Sequence, residues 1–141
     1  MSRKVWVTPT ASEASKDTTN AIHSIVLRMQ QHLPEFGYEM VENPAQADLR
    51  VCHAGQGSVN GEIDVSIFHG LYPTAQGFNG IYFAVNSHVI QNLKSAKQVI
   101  APSEWIADTL RRDMHIAPNI IGWGVDTDEW TPGDNPHVYA L

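Results

Sequence analysis

The chain has 141 residues, 43% hydrophobic and 17% charged, which is enough apolar content for a core of single-domain size and too much for a disordered or low-complexity segment. Its net charge is −6 and its nine Lys and Arg residues are scattered, with Arg111-Arg112 the one adjacent Arg pair; this excludes a phosphate-tracking surface, so no nucleic acid is expected as a partner, and it argues against simple adhesion to anionic lipid. Cys52 is the only cysteine, which rules out an intrachain disulfide and a cysteine-based zinc site.

In chain order, the opening Met1 to Val7 carries too short an apolar run for a signal peptide or a transmembrane segment, and a cytoplasmic location is the expectation. Val5 to Val7 reads as a buried first strand that stops at Thr8-Pro9-Thr10, followed by a loop to about Lys16. From an N-cap at Asp17 or Thr18, the positions Ile22, Ile25, Val26, Met29 and Leu33 keep to one helical face until Pro34. Tyr38 to Val41 predicts a short strand, Asn43-Pro44 a break, and Leu49 to His53 another strand ending at Gly55. Gly55, Gly57 and Gly61 mark a loop, and Ile63 to His69 is a further apolar run closed by Gly70. Asn86 is the expected cap of a helix with Val89, Ile90 and Leu93 inward. Gln98 to Ala101 predicts a strand, Ser103 the cap of a helix bearing Ile106, Leu110 and Met114, and Asn119 to Gly122 the last strand. Short apolar strands alternating with helices imply an α/β fold: one Rossmann-like open parallel sheet with helices on both faces and right-handed crossovers.

In such a sheet, ligands collect at the carboxyl ends of the strands, where loops and helix N-termini converge. That rule selects Thr8 to Ser15, His53 to Gly57, His69 to Thr74 and Pro102-Ser103-Glu104. Two of these loops begin with histidine. A neutral imidazole at a strand end can bond a sugar hydroxyl, and it satisfies a loop carbonyl equally well. No third ligand stands at a telling spacing from His53 and His69, so no metal is expected. Gly55-Gln56-Gly57 lacks the third glycine and the lysine of phosphate-binding fingerprints and reads as a turn. Ser103 and Glu104 are explained as an N-cap and a carboxylate complementing the helix dipole. Trp105, Trp123 and Trp130 have the shape to stack on a sugar ring, against the alternative of core or interface packing, with Trp105 expected half-buried. No Ser-His-Asp order, paired-carboxylate motif or reactive-cysteine context supports a hydrolase.

The run Ala96-Lys97-Gln98-Val99-Ile100-Ala101-Pro102-Ser103-Glu104-Trp105, followed by Asn119-Ile120-Ile121-Gly122-Trp123-Gly124-Val125-Asp126 and Trp130-Thr131-Pro132-Gly133, resembles the family 4 glycosyltransferases of GT-B fold. That family carries a similar Ala-x-x-Val-Ile-x-x-Ser run, then a strand leading to Asn-Gly-Val-Asp and an aromatic-x-Pro at the crossing into its second domain. Asp64 to Gly70 is similar to the family's strand ending in a histidine that faces the interdomain cleft, and Leu49 to His53 resembles the strand before it. The likeness is strong after residue 95 and weak before residue 60. Thr8-Pro9-Thr10-Ala11 stands where the family often has a glycine pair, and Trp123 stands for the usual Asn.

The resemblance implies a retaining transferase that uses a nucleotide-sugar donor and no cofactor. Residues 1–130 would form the N-terminal, acceptor-binding domain, and residues 131–141 a hinge and the first strand of a second, donor-binding domain. His69 would be the catalytic histidine, contacting the donor sugar or the reacting acceptor hydroxyl. Thr10, His53, Gly70, Ser103 and Glu104 would line the substrate site, and Gly124, Val125 and Asp126 would form the hinge. In the family an Arg and Lys pair and a glutamate of the second domain meet the leaving phosphate. The chain stops before them, so it is expected to be inactive alone, with a separately encoded second domain or a homodimer as possible partners. The alternative is a non-catalytic binding or interaction module built on the same fold. A flavodoxin-like nucleotide binder is disfavoured, because no convincing phosphate loop follows the first strand.

Overall fold

The computed structural model describes residues 2–53, 62–72, 81–124 and 127, with Ile81 and Tyr82 described in backbone only. Six strands form one fully parallel sheet: β1 (Arg3–Thr8), β2 (Tyr38–Val41), β3 (Leu49–His53), β4 (Ile63–Ile67), β5 (Ala96–Ala101) and β6 (Asn119–Ile120). They lie in the order β2-β1-β3-β4-β5-β6. The helices are α1 (Ala11–Ala14), α2 (Ala21–His32), α3 (Ile81–Ser95) and α4 (Glu104–Met114), with 3-10 turns at Leu33–Phe36 and Pro44–Gln46. The expected α/β architecture, an open parallel sheet covered on both faces, is what the chain adopts.

Alternation along each strand divides the core in two. Val5 and Val7 of β1, Val51 of β3 and Ile67 of β4 pack with Ala14 of α1 and Val26 of α2. Phe68, Val99 and Ala101 pack on the opposite face with Val89 and Leu93 of α3 and Ala107 and Leu110 of α4. Each of these residues is nearly or fully buried, and they place an apolar layer on each face of the sheet, whereas the edge strands β2 and β6 bury no residue fully. The chain reaches β2 from β1 on one side and returns past β1 to β3 on the other. The carboxyl ends of β1 and β3 therefore part at a topological switch point, where doubly wound sheets form a crevice.

Local chemistry sets the element ends, and it corrects several expectations. Asn20 caps α2, its Oδ1 accepting from the amides of Ile22 (2.9 Å) and His23 (3.4 Å). Neither expected cap, Asp17 or Thr18, holds that place: Asp17 instead accepts from the Thr19 amide (3.1 Å) and hydroxyl (2.6 Å) in the turn before it. Pro34 does not end the helical path there. It sits in the first turn of the 3-10 segment, where no amide donor is needed, and the chain turns into β2 at Gly37 with φ 79°. The expected loop before α2 contains the single helical turn of α1. The helix α3 starts before Asn86, which is buried and bonds the Tyr72 backbone at both its amide (2.9 Å) and its carbonyl (2.8 Å) rather than capping the helix. The cap of α4 is Ser103, as expected, accepting from the Ile106 amide at 3.3 Å. The last strand is shorter than expected and ends at Ile120.

Candidate functional site

His53 is the last residue of β3, and His69 lies two residues beyond the end of β4. His53 shares strand parity with Val51, and His69 with Ile67, so both side chains leave the sheet on the α2 side. There Nδ1 of His53 and Nε2 of His69 stand 3.0 Å apart, and Nε2 of His53 meets the Met29 sulfur of α2 at 3.4 Å. The two imidazoles are tilted by 35° with centroids 5.3 Å apart. Trp123, arriving from the segment after β6, stacks on the far ring: the His69 and Trp123 centroids are 5.4 Å apart and the planes 17° apart. A thioether at one end and an indole at the other bracket a pair of histidines beside the switch point.

The partners assign the protons. A thioether sulfur only accepts, so the contact with Met29 is attractive when His53 carries its proton on Nε2. Nδ1 of His53 is then bare and accepts the Nε2–H of His69. This leaves the lone pair of His69 on Nδ1. Burial holds both rings neutral: desolvation, aided by the neighbouring His69, pushes the pKa of His53 down to about 3, and desolvation also lowers that of His69. The site thus offers an uncharged acceptor nitrogen next to an aromatic wall. It suits a hydroxyl, not an anion, and no proton has to leave the ring before the hydroxyl docks.

No family model, curated protein or solved structure matches this chain.

The other residues selected from the sequence fall elsewhere. Thr10 caps α1 in a reciprocal capping box: its amide donates to Glu13 Oε2 (2.8 Å) while its hydroxyl accepts from the Glu13 amide (3.4 Å). Beside it, Ser12 donates from its amide (3.1 Å) and its hydroxyl (2.7 Å) to Glu42, whose carboxyl is held below its ordinary pKa chiefly by that hydroxyl. Two carboxylates therefore occupy the amides that a phosphate would need after β1, which counts against a flavodoxin-like nucleotide site even though the first five strands follow the 2-1-3-4-5 order of such sheets. Ser103 is spent as a cap, and Glu104 is exposed and paired with Arg111 at 3.0 Å. Gly70 follows His69 with φ 129°, a conformation that glycine alone adopts readily, and it turns the chain away from the strand direction. Among the described residues no cluster of three or more His, Cys, Asp or Glu could hold a metal ion. The turn at Gly55 to Gly57, Thr74, the hinge residues Val125 and Asp126, Trp130 and residues 131–141 lie outside the described residues.

Gly124 is described, and with Trp123 it borders a groove of about 430 Å³ along α2, lined by the apolar Ile25, Met29, Leu33 and Phe36 and by the polar Ser24, Arg28 and His32. Sequence reasoning missed this connection. Met29 was one apolar position on a helical face, and Trp123 an altered hinge residue. Trp105, expected half-buried, is 76% exposed. Only spatial proximity separates the tryptophan at the site from the one on the surface.

Proposed function

We propose that this chain is the acceptor-binding side of a retaining glycosyltransferase that takes its sugar from a nucleotide-sugar donor, with the acceptor hydroxyl received by His69. The observation that carries the reading is the stack of His53, His69 and Trp123 at the carboxyl ends of β3 and β4. Its histidine and its tryptophan come from the two stretches, 64–70 and 119–126, that resemble family 4 glycosyltransferases. A sheet of doubly wound type and a site built for a neutral hydroxyl support the same reading. Departure of a nucleoside diphosphate calls for preorganised cations, and the neutral His53, Met29 and Trp123 beside His69 supply none. The reading assigns that work to a donor-binding domain, joined to this one or encoded beside it.

The test begins with the DNA downstream of the Leu141 codon. A reading frame carrying the Arg, Lys and Glu of a donor domain should, when produced together with this chain, release nucleoside diphosphate from one member of a nucleotide-sugar panel. His69→Ala should lower that release by about a hundredfold. Absence of such a frame, or release unchanged by His69→Ala, would favour the non-catalytic binding module.

A further inference from the structure

The groove along α2 is amphipathic along its length. Ile25, Met29 and Leu33 form one row at i, i+4 spacing and Ser24, Arg28 and His32 a second row one residue behind it, so an apolar edge and a polar edge run side by side down the helix. Phe36, 73% exposed, and Trp123, 48% exposed, add two aromatic side chains to the apolar lining. On the polar edge, the Ser24 hydroxyl donates to the backbone carbonyls of Thr18 (3.2 Å) and Asn20 (3.3 Å) at the start of the helix. His32 Nδ1 stands 2.9 Å from Glu35 Oε1, and since a carboxylate only accepts, that nitrogen carries its proton and is committed to Glu35. Arg28 is half-buried and brings a permanent charge with five N–H donors; one of its nitrogens reaches Gln31 Oε1 at 3.5 Å. No Asp or Glu among the described residues lines the groove with it. A guanidinium set among aliphatic and aromatic side chains is complemented by an anion that is itself largely apolar.

We propose that this groove binds a small aromatic carboxylate, its ring system against Leu33, Phe36 and Trp123 and its carboxylate on the Arg28 guanidinium. The planar fork of an arginine matches the two oxygens of a carboxylate, and the exposed rings of Phe36 and Trp123 offer faces for an aromatic body. The size fits a small molecule: about 430 Å³ falls within the ~300–1,000 Å³ of such pockets, and nine described lining residues are far fewer than the ~20–30 a side that a protein partner takes. A sugar would leave Ile25, Leu33 and Phe36 without an apolar partner, and a cationic ligand would meet Arg28. The proposal is independent of the transferase reading, because neither His53 nor His69 lines the groove; Met29 and Trp123, which touch those histidines, are the side chains that the two sites share.

The probe is 2-naphthoate, titrated into the full chain labelled at its Ile, Leu, Met and Val methyl groups. Saturable shifts are expected at Ile25, Met29 and Leu33, with Val89 and Leu93 on the opposite face of the sheet unmoved. The uncharged 2-naphthamide keeps the rings and loses the charge-assisted bonds, so it should bind about tenfold more weakly. Added salt should weaken 2-naphthoate and leave 2-naphthamide unchanged. Arg28→Gln, an exchange between comparable helix formers, should bring 2-naphthoate down to the affinity of 2-naphthamide. Phe36→Ser, at an exposed position where folding is not at stake, should weaken both ligands. Shifts that are absent, spread over both faces or indifferent to Phe36→Ser overturn the proposal. So does 2-naphthamide binding as tightly as 2-naphthoate, or 2-naphthoate affinity that survives Arg28→Gln. Shifts of the same methyl groups on simple dilution overturn it too, because a second copy of the chain would then be the occupant.

Discussion

At the scale of single residues, His53 couples the site to pH. Burial keeps it neutral in the fold down to a pKa of about 3, whereas in the unfolded chain it titrates at the ordinary 6.5. Below pH 6.5 the unfolded state takes up a proton that the native state refuses, so stability falls as the pH drops. One such site gives up to about 1.4 kcal/mol per pH unit, or ~2 kcal/mol between pH 6.5 and 5. Lowered carboxylates such as Glu42 and Asp64 act in the same direction, but only near and below their ordinary values of 4.5 and 3.8. The interval from pH 6.5 to 5 therefore belongs to the histidines. Urea midpoints should fall between pH 7 and 5, and His53→Phe should flatten that dependence. A slope that survives the substitution would mean that other groups carry it. The histidines were legible as candidates because each ends an apolar run. Their mutual bond was not, since a separation of sixteen in sequence says nothing about two ring nitrogens meeting at 3.0 Å.

Among the elements, those bounded by strong local chemistry were read closely: β2, β3 and α4 lie where the sequence puts them, the last with Ser103 as its cap. The start of α2 was misread because Asp17, Thr18 and Asn20 are all competent caps, and only the Asp17–Thr19 turn decides among them. Asn86 was misread for a deeper reason. An asparagine inside a helix is locally unfavourable, and here the cost is offset by two bonds to the Tyr72 backbone that fasten α3 to the segment after His69. Asn86→Ala should accordingly cost about 1–3 kcal/mol, because it strands a partly buried amide and carbonyl. The cap variant Ser103→Ala should cost only about 1 kcal/mol. Equal losses in urea denaturation would show that Asn86 does no more than a surface polar residue.

Across the whole molecule, both apolar layers share one sheet, so neither can unfold without stripping the other's strands. Leu110→Ala, on the face away from the histidines, should cost about 2–5 kcal/mol and move one cooperative urea transition seen equally by backbone circular dichroism and by His69 ring signals. Separate transitions would mean that the two faces fold independently. No helix among the described residues is long and apolar enough to cross a membrane. The class of fold was determined by the sequence itself, because short continuous apolar runs and helical apolar patterns are local properties, and their alternation along the chain leaves little besides a covered parallel sheet. The rule that ligands gather at the carboxyl strand ends then brought His53 and His69 forward. Strand order, the switch point beside β3, the neutral tautomer chain from Met29 to His69 and the return of Trp123 across the sheet were decided by tertiary structure alone. Each depends on which distant segments touch, and a contact between side chains far apart in the chain leaves no periodic trace in a single sequence.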